Sequence, residues 1–213
     1  MITSLPNLLT LTRILLIPLL VGTFFFDGNL WQWVALAIYT TAGITDFLDG
    51  WVARSLGEQS RLGRFLDPIA DKLLVAAALL MLAGFNRIGE LAMLPAVVIL
   101  CREIVVSGLR EFLAEIQVSV PVSRLAKWKT AIQMITIGFL LVGDASPAAI
   151  PATMIGEVGL WVAAVLTLVT GYDYMRAGLR HMVAEEGPAV APAAEQTGAG
   201  AELRETPSKR GSA

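Results

Sequence analysis

Asp46-Phe47-Leu48-Asp49-Gly50-Trp51-Val52-Ala53-Arg54 is followed, after eight residues, by Gly63-Arg64-Phe65-Leu66-Asp67-Pro68-Ile69-Ala70-Asp71-Lys72. Four carboxylates thus sit between two long apolar runs. An ionisable residue at membrane depth costs about 2.5–3.5 kcal/mol on insertion scales, so four of them in one stretch imply a binding role. The apolar runs decide the surroundings. Crossing a ~30 Å hydrocarbon core takes about 20 residues at 1.5 Å each, and six such windows are present, at 8–26, 31–53, 64–84, 91–115, 125–143 and 152–177. Turn-forming residues such as Asp27-Gly28-Asn29, Gly84-Phe85-Asn86 and Gly143-Asp144 separate them. The expected fold class is an all-α integral membrane protein of six transmembrane helices.

Composition agrees with this reading. The 213 residues are 55% hydrophobic and only 16% charged, against about 25% charged in soluble chains. A net charge of −2 lacks the basic excess of a nucleic-acid-binding chain, so no nucleic-acid partner is expected. Cys101 is the only cysteine, which rules out an intrachain disulfide. The N-terminus has no basic region ahead of its first apolar run and no clear cleavage site, so that run is expected to be retained as a span. Residues 1–184 form the expected membrane domain, and 185–213, rich in Ala, Pro, Glu and Gly, an expected disordered cytoplasmic tail. Arg54, Arg61, Arg64 and Lys72 follow the second window, Arg124, Lys127 and Lys129 the fourth, and Arg176 and Arg180 the sixth, while the opposite loops hold almost only Arg87. The positive-inside rule then places both termini and the aspartate site on the cytoplasmic side of a multi-pass protein of the cell's inner membrane.

On a helix, Asp46, Asp49, Gly50 and Ala53 share one face, and so do Gly63, Asp67 and Asp71. Two antiparallel helices could point the four carboxylates at one another. Such a group either takes up protons or gathers cations, and all-oxygen ligation selects Mg²⁺ or Mn²⁺, with two ions suited to phosphoryl chemistry. Zinc is disfavoured, since the cluster supplies no His or Cys. The competing interpretation pairs the aspartates with Arg54, Arg61, Arg64 and Lys72 at the interface.

The spacing D-x2-D-G-x2-A-R-x8-G-x3-D-x3-D, complete from Asp46 to Asp71, resembles the signature of the CDP-alcohol phosphatidyltransferases. The resemblance implies that Asp46, Asp49, Asp67 and Asp71 hold two divalent cations against a CDP pyrophosphate. It implies that Gly50, Ala53, Arg54 and Gly63 line the nucleotide pocket, and that Asp71 is the general base. It also implies a homodimer. Leu5-Pro-Asn7-Leu-Leu-Thr10-Leu-Thr-Arg13, Phe65 to Lys72, Arg102-Glu103 through Arg110-Glu111 and Ala126-Lys127-Trp-Lys129 resemble the phosphatidylglycerophosphate synthase branch, which joins CDP-diacylglycerol to sn-glycerol 3-phosphate. Ala126 stands where that branch is expected to have glycine.

The acceptor can also be approached from charge. Arg110, Lys127 and Lys129 form a cationic group near the cytoplasmic mouth that can hold an acceptor phosphate; alternatively they snorkel to lipid headgroups. Arg102 and Glu103 either join that group or form a buried structural pair. Asn7 and Thr10 either border the nucleotide or cap the first helix. Two other functions stay open: the same donor chemistry with phosphatidylglycerol or inositol phosphate as acceptor, and a divalent-cation transporter.

Overall fold

A computed structural model describes residues 5–56, 61–117 and 124–185 of the chain. They form six α-helices, α1 (Leu5–Thr23), α2 (Asn29–Leu56), α3 (Arg61–Gly84), α4 (Glu90–Glu115), α5 (Arg124–Val142) and α6 (Ala152–Glu185), with one 3-10 turn at Gly143–Ala145. No strand occurs among the described residues. Each expected apolar window falls within or against one helix. The α4 segment and Ala152–Arg176 of α6 are long and apolar enough to cross a membrane, and Leu8–Thr23 is a shorter apolar helix. The expected tail from 186 onward lies outside the described residues.

Helix ends depart from the windows for local reasons. The first window runs to Phe26, yet α1 stops at Thr23 because the N–H groups of Phe24, Phe25 and Phe26 turn back to the carbonyls of Val21, Gly22 and Thr23. Such i→i−3 bonds tighten the final turn and satisfy carbonyls a helix end leaves open. Gly28 then takes φ +107°, a left-handed conformation that glycine adopts without steric cost. At the other end of the bundle's third helix, Asn86 at φ 53° ends α3 and directs Arg87 back over the Phe24 ring, 4.6 Å from its centroid. Burial pulls the Arg87 guanidinium below its usual range, and the Asp144 carboxylate opposes that effect.

Small residues let the helices approach closely. Ala35 and Ala42 of α2, Ala78 of α3, Ala92 and Ala96 of α4 and Ala163 and Ala164 of α6 are all in the buried core. Lipid tails are as apolar as leucine, so close packing, and not exclusion of water, holds such helices together. The α5–α6 contact is the most intimate. A Cβ on Gly156 would sit 2.5 Å from Leu140 side-chain atoms, and one on Gly159 would sit 2.4 Å from Thr136 Oγ1. Large apolar side chains such as Leu15, Leu19, Leu91, Leu94, Ile104 and Val165 face outward.

Successive helices are joined by short connections and run up and down. Thr10 and Arg13 early in α1, Asp46 late in α2, Asp67 and Asp71 early in α3, Arg110 late in α4 and Lys129 early in α5 therefore gather at one end of the bundle.

Candidate active site

The centre of that end is Arg13, whose side chain is fully buried. Its Nη1 lies 2.7 Å from Asp71 Oδ1 and 3.0 Å from Asp46 Oδ1, so one guanidinium nitrogen ties α1, α2 and α3 together. One turn earlier on α1, Thr10 donates its hydroxyl to Asp67 Oδ1 at 2.5 Å. Thr10 and Arg13 at i and i+3 thus meet Asp67 and Asp71 at i and i+4, the register of two parallel helices packed face to face. The Asp46 and Asp71 side chains remain 46% and 48% exposed. The carboxylates are anchored from below by a dry cation and open above to a ligand.

This arrangement differs from the expected one. The motif helices α2 and α3 touch each other little; α1 packs against both and separates much of their length. The carboxylates of Asp46 and Asp71 converge because both reach Arg13. Thr10, expected to border the nucleotide or cap its helix, donates its hydroxyl to Asp67 and so helps to hold that carboxylate. Arg13 had a visible signal, since an arginine eight residues after the start of an apolar helix needs a counter-charge, but its sequence gives no hint of which carboxylates supply it. α3 begins at Arg61, so Pro68 is in its interior and leaves the Arg64 carbonyl without its usual i+4 donor. Lys72 Nζ donates to the Pro68 carbonyl at 2.8 Å.

Gly63 is buried on the first turn of α3. The surroundings of Asp49, Gly50, Ala53 and Arg54 on α2, Asn7 on α1 and Lys127 on α5 lie outside what the structure describes. Among the described residues no three carboxylates form a metal cage. The donors still suit a hard cation in kind: they are carboxylate oxygens, and the fold already brings a positive charge to two of them.

A second charged group lies on α4, α5 and α6. Glu103 accepts a short contact from the buried Lys129 and stands 3.5 Å from Arg102 Nη1. Arg102 also donates through Nε to the Thr167 carbonyl at 3.1 Å and through Nη2 to Thr170 Oγ1 at 3.0 Å. Of the two readings of Arg102 and Glu103, the buried pair matches, with Lys129 as its third member. Arg110 is exposed, and it lies with Asp71 and Glu111 within electrostatic range of Lys72. Lys72 is thus within electrostatic reach of both the aspartate group and Arg110.

Among the described residues, then, an all-helical bundle with an apolar exterior and two helices long and apolar enough to cross a membrane carries carboxylates braced by a buried arginine at one end. Residues 3–169 match the CDP-alcohol phosphatidyltransferase family, and the chain belongs to it. Among its relatives, a CDP-diacylglycerol–glycerol-3-phosphate 3-phosphatidyltransferase of Rickettsia felis is 44% identical over 82% of this chain and 94% of its own length. Proteins with the same name from Cereibacter sphaeroides (35% identity, 86% of this chain, 99% of the relative) and Pseudomonas fluorescens (41% identity, 84% and 92%) are also similar. Membership of a transferase family removes the transporter alternative.

Proposed function

We propose that the protein moves a phosphatidyl group from CDP-diacylglycerol to sn-glycerol 3-phosphate, giving phosphatidylglycerophosphate and CMP. The observation that carries this reading is the meeting of Asp46 and Asp71 on Arg13, with Asp67 held beside them by Thr10. The acceptor follows the names of the relatives. Asp46, Asp67 and Asp71, with Asp49, would hold Mg²⁺ or Mn²⁺, two ions in this reading. A divalent ion held by these carboxylates would supply positive charge against the donor pyrophosphate and the CMP leaving group.

The chain's own residues do the rest. Arg13 fixes the Asp71 carboxylate from the buried side, leaving its exposed side toward the acceptor. The acceptor hydroxyl oxygen forms a bond to the β-phosphorus of the donor, the bond from that phosphorus to CMP breaks, and the hydroxyl proton passes to the Asp71 carboxylate. Arg110, with Lys72 beside it, supplies positive charge for the acceptor phosphate; Lys127 and Lys129 belong to the same cationic end. Lys129 acts there through Glu103, whose charge it balances. Gly50, Ala53, Arg54 and Gly63 line the nucleotide side, and Asn7 borders it. Six membrane spans, cytoplasmic termini and a homodimer in the inner membrane complete the reading.

Purified protein incubated with CDP-diacylglycerol, labelled glycerol 3-phosphate and Mg²⁺ should release CMP and labelled lipid in equal amounts. Turnover only with phosphatidylglycerol or inositol phosphate as acceptor would reject the acceptor and keep the donor. No CMP release with any alcohol would reject both.

A further inference from the structure

Glu103, halfway along α4, balances more positive charge than one carboxylate can satisfy. It accepts a close contact from the Lys129 ammonium and stands 3.5 Å from Arg102 Nη1, at the outer limit of a hydrogen bond. Lys129 has three N–H donors, and Glu103 is the one acceptor it meets among the described residues. Arg110 lies within electrostatic range of Arg102, and Lys72 within range of Lys129. Glu111, the second carboxylate near Lys72, already accepts from the Ser107 hydroxyl at 3.3 Å. Lys72, Arg102, Arg110 and Lys129 thus face two glutamates, which leaves, Asp71 aside, an excess of two positive charges.

The same group has room for a change of partner. Gln133 Oε1 and Thr167 Oγ1 are buried with no hydrogen-bond partner among the described residues. Gln133 follows Lys129 by one turn of α5, within reach of its ammonium at i and i+4. Thr167 is the residue whose carbonyl takes the Arg102 Nε proton. Each cation that holds Glu103 therefore has an unused acceptor beside it. Burying an unmet acceptor is costly, so a permanently locked triad explains these two atoms poorly. Glu103 is also the most exposed of the three, at 19% against 11% for Arg102 and 5% for Lys129.

Resting on the proposed acceptor, we infer that Glu103 is an exchangeable counter-ion: its carboxylate holds Arg102 and Lys129 until the phosphate group of the acceptor takes its place. A carboxylate offers one negative charge on two oxygens, whereas a phosphate monoester offers about −1.5 to −2 on three, so the phosphate satisfies both cations more fully. Selection follows from the exchange. A neutral polyol cannot displace Glu103, and a site that must first be vacated binds its ligand more weakly in proportion to how often it is free.

Inorganic phosphate is the probe, titrated by calorimetry into the full-length, detergent-solubilised protein with EDTA present, so that no divalent ion carries it to the aspartates. Glu103→Gln should bind phosphate about 5- to 150-fold more tightly than the unaltered protein, the usual span of a coupling between two ligands. Its lowered melting temperature should climb back as phosphate is added, and glycerol should do neither. Glu103→Asp keeps the charge but draws it back by one methylene; it should show the same gain to a smaller degree, and it carries the test if Glu103→Gln does not fold. Glu103→Leu combined with Lys129→Met should lose phosphate binding and still melt cooperatively. Phosphate binding that is equal or weaker in the single variants, or undiminished in the double variant, overturns the inference and makes the triad a fixed structural group. Failure of the acceptor reading shows elsewhere, as absence of labelled lipid when the unaltered protein turns over with glycerol 3-phosphate, a measurement the phosphate titration does not use.

Discussion

A buried arginine shared by two half-exposed carboxylates is an asymmetric arrangement, and its two sides predict different behaviour on substitution. Asp71→Asn keeps the shape and the hydrogen bond to Arg13 but cannot take up a proton. Turnover should fall by about 10²–10⁴, the usual loss on removing a general base, while Mg²⁺-dependent CMP binding persists in calorimetry. Near-normal turnover would reject the assignment of the base. Arg13→Met acts at a deeper level, because it leaves Asp46 and Asp71 facing each other without their common counter-charge. Breaking a fully buried pair costs about 3–5 kcal/mol; with both carboxylates near half exposure, a loss of about 2 kcal/mol is expected. That is several degrees in the melting temperature of the detergent-solubilised protein. Added Mg²⁺ should restore part of the lost temperature in Arg13→Met, because a cation again sits between the acids, and should not do so in an Asp46→Ala, Asp71→Ala double variant. Identical Mg²⁺ responses would mean that the ion does not bind among these carboxylates.

At the scale of helices, two different forces zip α4, α5 and α6 together, and each can be measured separately. Gly156 and Gly159 of α6 lie against Leu140 and Thr136 of α5 so closely that a single methyl must displace its neighbour. Gly159→Ala should therefore destabilise by about 1–3 kcal/mol through overpacking. Gly22→Ala in α1, where nothing lies within 4 Å of the new Cβ, should instead stabilise by up to about 1 kcal/mol through helix propensity. The second force is the charged group of Glu103, Arg102 and Lys129. Glu103→Gln leaves two cations near each other in a dry site and should be among the most destabilising single changes, whereas Glu103→Leu combined with Lys129→Met should recover much of that loss. Additive losses in thermal unfolding would show that Lys129 and Glu103 do not depend on each other. The existence of these helices was legible in the sequence, because a run of twenty apolar residues has few alternatives. Their neighbours were not. The aspartate spacing suggests α2 beside α3, but only packing shows that α1 stands between them, and Arg13 looks the same in sequence whether it snorkels or is buried. Lys129 is the converse case: a basic residue at a helix start reads as interfacial until Glu103, 26 positions earlier, is found against it.

For the whole molecule, the up-and-down order of the six helices makes one geometric demand. If the aspartate end faces the cytosol, as the basic residues after α2, α4 and α6 argue, every connection at the opposite end must face outward. Asp27, Asn86 and Ala148 lie in the α1–α2, α3–α4 and α5–α6 connections, and Gln117 follows α4 at the aspartate end. Single cysteines at these positions, in a Cys101→Ser background, test the arrangement in intact cells with a membrane-impermeant maleimide. Cysteines at 27, 86 and 148 should be labelled from outside, and the one at 117 only after permeabilisation. The prediction is sharp because the helices alternate: two adjacent connections labelled from the same side would mean that the helix between them does not span. Full reversal would carry the acidic pocket to the outer face, where cytosolic glycerol 3-phosphate and a nucleotide-activated lipid could not reach it, and the proposed reaction would fail with the topology. The apolar exterior of α1, α4 and α6 tolerates either orientation equally, so the decision rests on the charges at the helix ends. Moving the basic excess, by replacing Arg61, Arg64 and Lys72 with Gln and adding three lysines beside Asn86, should for that reason shift the labelling pattern.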